Sequence, residues 1–576
     1  MTTPRAYVPP HLTPGRAWGF ALNLYALRSG RNWGIGDFTD LRNFVRFAAS
    51  VRADLVGVNP LHALHYVEPE AASPYSPTSR YFLNPLYLDI EAIAEFASDH
   101  ERAAQLRARV RSGAFSAMLE TLRAAPHVAY TRVARAKYSA LEECYAIFRE
   151  LRGERTLAFR AYVEGGGARL ERFALYEALT ERFVRGDGTE RGWLFWPTEY
   201  RDPSGAAVRS FALKERRRIE YFKYVQWLTE LQLAAAADEA RAMAIGLYLD
   251  VAVGVDRNSA DVWFDTSAYV LDETVGAPPD PLGPRGQNWG LAPLEPAAML
   301  RDGGAAFAEL LATNMHHAGA LRLDHVMALL RLFRIPFGRT AAQGRYVDYP
   351  FEELLAIARA TSAEARCLIV GEDLGNVPPG FRERMEREAI FSYRLLLFER
   401  EDDGVFKAPE RYPELALATA TTHDVPTLIG WAIGHDIDMH ANIGLTSSER
   451  TEIAHNARRV EVSGLLDALR RAGELDEDAF ARLHRRVDER RTEPGAFEDL
   501  VRAAYRFLAR SPARLVLVQL DDALGELDQV NLPGTDTEYP NWRRKSAIDI
   551  DRLASDPRLK TLVADVCRVI SERTFR

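Results

Sequence analysis

The chain has 576 residues, 47% of them hydrophobic and 27% charged, the balance of a globular protein with a large core rather than a disordered chain. Lys and Arg number 73 against 81 Asp and Glu, a formal net charge of -8 with no long basic run, so the electrostatic footprint of a nucleic-acid or anionic-membrane partner is missing. Cys144, Cys367 and Cys567 lie far apart without a CxxC, which excludes a disulfide framework and a cysteine zinc site and suits a reducing compartment.

The first twenty residues, MTTPRAYVPPHLTPGRAWGF, lack the apolar run of a signal peptide, and no run of about 18 apolar residues follows anywhere, so a cytoplasmic location is expected. The first strand-like run is GFALNLY (19–25) and the second DLVGVNP (54–60). Residues 93–232 then read as amphipathic helix, for example KYSALEECYAIFRELRG, with Gly165, Gly166 and Gly167 expected to break two helices apart. Strand-like runs resume at IGLYLDVAV (245–253), ALRLDHV (320–326), CLIVGED (367–373), SYRLLLFE (392–399) and LALATATTHD (415–424). A charged helical stretch, 447–509, precedes the eighth run, RLVLVQLDD (514–522), and its charges read as a solvated face. Too few residues follow Asp522 for a C-terminal β-sandwich.

Nearly unbroken apolar strands separated by helices require a parallel sheet buried on both faces. Eight in succession point to an α/β fold of the (β/α)8 barrel type rather than an open sheet. The expected organisation is strands one and two with a substrate loop over 1–92, a helical insertion over 93–232, and strands three to eight with a second helical insertion over 233–576.

Active sites of parallel barrels lie at the C-terminal ends of the strands. Strand four ends in Arg322, Asp324 and His325, strand five in Glu372 and Asp373, and strand seven in His423 and Asp424. Strand alternation puts Arg322 and Asp324 on one side, and an arginine beside a carboxylate favours the ionised form that a nucleophile needs. Glu372 follows the apolar CLIVG, where desolvation raises a carboxyl pKa and suits it to proton donation. Two carboxyl groups tuned in opposite directions are the requirement of glycosidic-bond chemistry, and a retaining pair would stand roughly 5 to 5.5 Å apart. Asp424 could bind sugar hydroxyls and hold the ring distorted.

Any one of these acids could equally be a helix cap or an ion-pair partner; three at the ends of strands four, five and seven are harder to explain so. The loop SPYSPTSRYFLNPLYL supplies Ser73 and Tyr75, and the loop GAPPDPLGPRGQNWGLAPL supplies Gln287 and Trp289. Asn531 follows strand eight in NLPGTDTEYPNW. Alone, a loop Trp is as ready to plug a core as to stack on a ligand. No GxSxG, HExxH or GxxxxGK[ST] occurs, and GIGDFT (34–39) lacks the last glycine of a dinucleotide fingerprint. His316 and His317 are neighbours on a predicted helix, so their rings are expected to point apart, and no metal or other cofactor is expected.

NWGIGDFTDL, SPYSPTSRYFLNPLYLDI, GAPPDPLGPRGQNWGLAPL, RLDHVM, VGEDLGNVP, TTHDVPT and NLPGT occur in the order found in one family. The chain resembles the 4-α-glucanotransferases, also called amylomaltases or disproportionating enzymes (glycoside hydrolase family 77), relatives of the α-amylase barrels. The resemblance implies retaining transfer of α-1,4-glucan segments between maltodextrin donors and acceptors. It implies Asp324 as nucleophile, Glu372 as general acid/base and Asp424 as transition-state stabiliser. Arg322, His325, His423, Tyr75, Ser73, Trp289, Gln287 and Asn531 match family positions that bind the donor sugar or orient the acids. GLYLDVAVGVD has Asp250 but not the histidine that α-amylases place after it, which with the missing β domain favours the transferases. The PYSPTSR variant and the direct entry into strand one resemble the bacterial maltodextrin-using branch without an N-terminal starch-binding module. A plain α-glucan hydrolase with the same acids, and a non-catalytic glucan-binding barrel, are the alternative readings.

Overall fold

Eight short parallel strands close a ring in chain order. They are β1 (Ala17–Leu22), β2 (Leu55–Val58), β3 (Gly246–Val251), β4 (Ala320–Leu323), β5 (Leu368–Gly371), β6 (Phe391–Leu395), β7 (Ala416–Thr419) and β8 (Leu515–Gln519). The structure, a computed structural model, describes residues 5–13, 15–184, 192–279, 285–489 and 494–574. β1 closes the ring by pairing with β8, from Ala17 opposite Leu515 to Ala21 opposite Gln519, so the sheet has no free edge. The fold is a (β/α)8 barrel, and every expected strand is present. The strands β2, β3, β4, β5 and β7 are buried at every residue, as parallel strands between a packed interior and a helical shell must be.

The interior explains where the chemistry sits. Leu55, Tyr248, Ala320, Leu368, Val370, Leu417 and Leu515 pack together inside the ring. Leu321, Leu323 and Ile369 instead join the core beneath the helices. Because side chains alternate along a strand, the residues two beyond Tyr248, Ala320 and Val370 also face inward: Asp250, Arg322 and Glu372. The inner lining therefore changes from apolar to ionisable at the C-terminal ends of three adjacent strands.

Outside the ring, α1 (Phe38–Ser50) starts at a capping box in which Asp37 accepts from the Asp40 backbone and the Asp40 side chain accepts from Asp37 N. Between β2 and β3 stand α2 (Tyr130–Glu150), α3 (Glu154–Phe183) and α4 (Arg216–Ala240). The triple glycine does mark a break: α3 kinks at Gly167, whose φ of 48° and ψ of -139° lie where only glycine is comfortable. The helical stretch expected to end at 232 instead runs unbroken to Ala240, because Leu233, Ala236 and Ala240 continue its buried stripe against α1 and α3. Next come α5 (Ala305–Met315) and α6 (Phe351–Ala365), which pack on each other before and after β4. The stretch 447–509 forms α7 (Ser448–Arg471), α8 (Glu477–Asp488) and α9 (Glu498–Arg510), and α10 (Pro557–Thr574) packs on α9. Residues 280–284 of the Pro/Gly loop and 490–493 of this helical stretch lie outside the described residues. No strand follows Gln519 among the described residues.

Two arrangements differ from expectation. Glu273–Ala277, Gln287–Asn288, Arg331–Pro336 and Arg345–Asp348 form a small antiparallel sheet over the barrel mouth, built from pairings such as Phe333 opposite Gly276 that local patterning does not announce. The rings of His316 and His317 do not point apart. α5 ends at Met315, the two histidines occupy the turn after it, and their centroids lie 4.5 Å apart.

Candidate active site

β4 stops at Leu323 because the chain turns there: His325 adopts φ 46° and ψ 61°, a left-handed conformation costly for a residue with a Cβ. The turn brings a backbone donor into the barrel mouth, and His325 N donates to Glu372 Oε2 at 3.0 Å. Leu374 N donates to Glu372 Oε1 at 2.7 Å. Two backbone donors thus hold Glu372, which is 9% exposed. Burial raises its pKa to about 7, against the pull of Arg322 and with a further push from the Asp324 charge.

Asp324 lies on the other side of that turn. Its Oδ1 is 2.9 Å from Arg322 Nη1, and its Oδ2 accepts from Val253 N at 3.3 Å. The same Arg322 nitrogen donates to both oxygens of Asp250, at 2.9 and 2.8 Å. Tyr75 donates its hydroxyl to Asp250 Oδ2 at 2.6 Å, which binds the loop after β2 to the network. Arg322 opposite Asp250 is also a register pair of β4 and β3. Burial opposes the arginine's charge, but the surrounding acids outweigh it and raise the pKa far above the usual value.

Asp424 follows β7. Its Oδ1 accepts from Asn531 Nδ2 at 2.7 Å and its Oδ2 lies 3.1 Å from His423 Nε2. The Asp424 side chain is 48% exposed at the mouth; against the desolvation of its carboxyl there, His423 and the Asn531 hydrogen bond lower its pKa to about 2. His423 stacks on Tyr75 with ring centroids 4.8 Å apart, and its Nδ1 is 3.2 Å from Asn59 Nδ2. The ring thus faces the Asn59 amide with Nδ1 and Asp424 with Nε2.

Trp289 follows a strand of the small sheet, where its backbone N donates to Val275 O at 2.9 Å and its indole donates to Gln287 Oε1 at 3.0 Å. The indole stands edge-on to His325, centroids 5.2 Å apart. Burial lowers the His325 pKa to about 4, so that ring is neutral at pH 7. Ser73 is half-buried two residues before Tyr75, its carbonyl accepting from Ser76 N, and reaches the cluster only through that loop.

The structure therefore gathers Asp324, Glu372, Arg322, His325, Tyr75, His423 and Asp424 at one end of the barrel, with Gln287, Trp289 and Asn531 around them. Asp250, Arg322, His423 and Asn59 also line a cavity at the same end. Sequence reasoning gave no role to Asp250 or Asn59. Asp250 carried the same signal as Arg322, a charge inside an apolar strand; Asn59, at the end of the second run, carried none.

Such a site has a donor-ready carboxyl, an arginine-paired carboxylate and a strongly ionised third acid, and no water-activating metal cluster among the described residues involves them. It can protonate a leaving oxygen while a carboxylate attacks from the other side. Residues 22–549 match the family model described as 4-alpha-glucanotransferase. The chain is 37% identical over 570 residues to the 4-alpha-glucanotransferase of Haemophilus influenzae, covering 97% of this chain and 80% of that protein. It is 35% identical over 549 residues to that of Mycobacterium tuberculosis, covering 93% and 72%. Amylomaltase from Corynebacterium glutamicum superposes with a TM-score of 0.84 at 28% identity, over 98% of this chain and 77% of that one. The amylomaltase of Streptococcus agalactiae, solved with acarbose, shares the fold at 18% identity with a TM-score of 0.75, over 96% and 99%.

Proposed function

Since the chain belongs to the 4-alpha-glucanotransferase family, we propose that it moves α-1,4-glucan segments between maltodextrins by retaining double displacement. In the first step an Asp324 oxygen bonds to the anomeric carbon as the bond to the departing O4 breaks and Glu372 gives that oxygen its proton. The product is a glycosyl ester of Asp324. In the second step the 4-hydroxyl of an acceptor glucan passes its proton to the Glu372 carboxylate and attacks the same carbon, and the ester bond breaks. Two inversions restore the α linkage. Asp424 binds hydroxyls of the distorted ring. Arg322 and His423 fix the acids, while Tyr75, Ser73, His325, Gln287, Trp289 and Asn531 line the donor sugar.

The observation that supports this best is the different setting of two neighbouring acids: Glu372, buried and without a cation in hydrogen-bond contact, has a pKa of about 7, while Asp324 lies 2.9 Å from the buried Arg322. Donor and acceptor are uncharged, in keeping with a chain that carries no basic surface run. Three free cysteines, two of them buried, fit a cytoplasmic setting, and no helix among the described residues is long and apolar enough to cross a membrane.

Incubation with maltotriose tests the reading. A transferase yields glucose and longer chains while the number of reducing ends stays nearly constant. A steady rise in reducing ends would make the protein a hydrolase with the same acids. Unchanged turnover in Glu372→Gln would remove Glu372 as the acid, and binding of maltotriose without any turnover by the wild type would leave only a glucan-binding barrel.

A further inference from the structure

At the turn after α5 three side chains that the glucan chemistry does not use come together, two from the turn and one from α4. His317 Nε2 lies 2.6 Å from Glu230 Oε1, and His316 Nε2 lies 3.9 Å from the same oxygen. One ligand atom from each of Glu230, His316 and His317 falls within 4.8 Å of the others, and no second such trio of metal-ligating groups exists among the described residues. No lysine or arginine pairs with Glu230 among the described residues. Burial opposes its charge, but the two imidazoles outweigh that and lower its pKa. Glu230 belongs to α4 and the histidines follow α5, so the trio bridges two neighbouring helices of the shell. His317 precedes the first residue of β4 by three positions, whereas Asp324 follows the last. The trio therefore sits at the end of the barrel opposite the glucan site.

We infer that Glu230, His316 and His317 form a binding site for a divalent transition metal of the zinc type, clipping α4 to α5. Two imidazoles and one carboxylate with an open fourth position are a zinc donor set, and the nitrogen donors disfavour magnesium and calcium. Tetrahedral ligands at about 2.0–2.1 Å from the metal stand roughly 3.3 Å apart, so side-chain shifts of about 1 Å convert the present contacts into coordination. The His317 side chain is 13% exposed and that of His316 69%, which leaves the site open to ions from solvent.

The test is calorimetric titration of the chelator-stripped full-length protein with Zn2+, with Co2+ absorption as a second reading of coordination. One equivalent is expected to bind, with a four-coordinate Co2+ spectrum. His316→Ala, which removes an exposed ring, and Glu230→Gln should each weaken binding tenfold or more while leaving maltotriose turnover unchanged. At a hundredfold excess over Kd the wild-type Tm should rise by about 2 °C, and that of His316→Ala should not. Absence of saturable binding up to about 1 mM, the weak end of useful affinities, overturns the inference. So does a one-equivalent affinity that either variant leaves intact.

Discussion

Arg322 serves two acids with one nitrogen, and what each acid then does follows from what remains around it. Asp250 is shut in with Tyr75 and Arg322; burial raises its pKa, so its part is to hold the arginine rather than to react. Glu372 has two backbone donors but no cation in hydrogen-bond contact, so burial dominates and its proton stays until about pH 7. As the acid of the first step it must be protonated, so kcat/KM should fall about tenfold per pH unit above a midpoint near 7. A pH-rate profile with maltotriose reads this limb, and a midpoint near an ordinary glutamate value would contradict it. The Asp324 charge is one cause of the elevation. Asp324→Asn should therefore move the Glu372 titration downward, read by carboxyl NMR because the variant is catalytically silent. An unmoved titration would mean that the two carboxyl groups do not sense each other. At this scale the sequence was readable wherever a charge interrupts an apolar strand, which gave Arg322, Asp324 and Glu372. Asn59 and the bridging role of Asp250 were not readable, because contacts with residues distant in the chain, His423 for Asn59 and Tyr75 and Arg322 for Asp250, leave no local trace.

The elements that carry these residues are held by a second set of buried contacts. Asp522, just past β8, is 1% exposed and accepts from Leu428 N at 2.7 Å, Thr421 Oγ1 at 2.6 Å and Tyr505 OH at 2.9 Å. Thr421 and Leu428 bracket the turn that presents His423 and Asp424, so one carboxyl fixes the exit of β7 to β8 and to α9. Asp522→Ala strands three buried donors and should cost about 2–4 kcal/mol of stability. Denaturant unfolding measures that loss, and kcat should drop with it because the Asp424 turn loosens; a shift below about 1 kcal/mol, the range of a surface change, would show the contacts to be dispensable. The strand bodies were legible because an apolar run flanked by helices has one stable home in a parallel barrel. Strand ends were less so. The run 320–326 shortens to Ala320–Leu323 because His325 takes a left-handed turn, and 415–424 shortens to Ala416–Thr419 because Asp522 captures the residues beyond. The small sheet over the mouth was invisible for a different reason: its partners, such as Val275 and Arg334, pair across intervening barrel elements. His316 and His317 were misjudged by one turn, since ideal helical spacing does not hold past Met315.

At the scale of the whole molecule the charge is spread widely, and the Arg322 ion pairs with Asp250 and Asp324 are enclosed. The barrel could be counted from eight apolar runs, and its family from motifs at or after seven of them, because several strand ends each carry part of one site. How the helices between β2 and β3 pack was not countable, since α4 shares its apolar stripe with both α1 and α3. The net charge of -8 has no counterpart on the neutral glucan, so electrostatic steering contributes nothing to encounter. The Arg322 side chain is 10% exposed and those of Asp250 and Asp324 6% and 16%, so mobile ions reach their network poorly. Raising salt from roughly 0.02 to 0.5 M shortens the screening length from about 20 to 4 Å, which reorganises surface pairs and leaves buried ones nearly untouched. Maltotriose kcat/KM should therefore change by less than about twofold across that range, as expected where neither encounter nor the buried network feels the screening. A loss of tenfold or more in steady-state kinetics would mean that salt enters the mouth and separates Arg322 from Asp324.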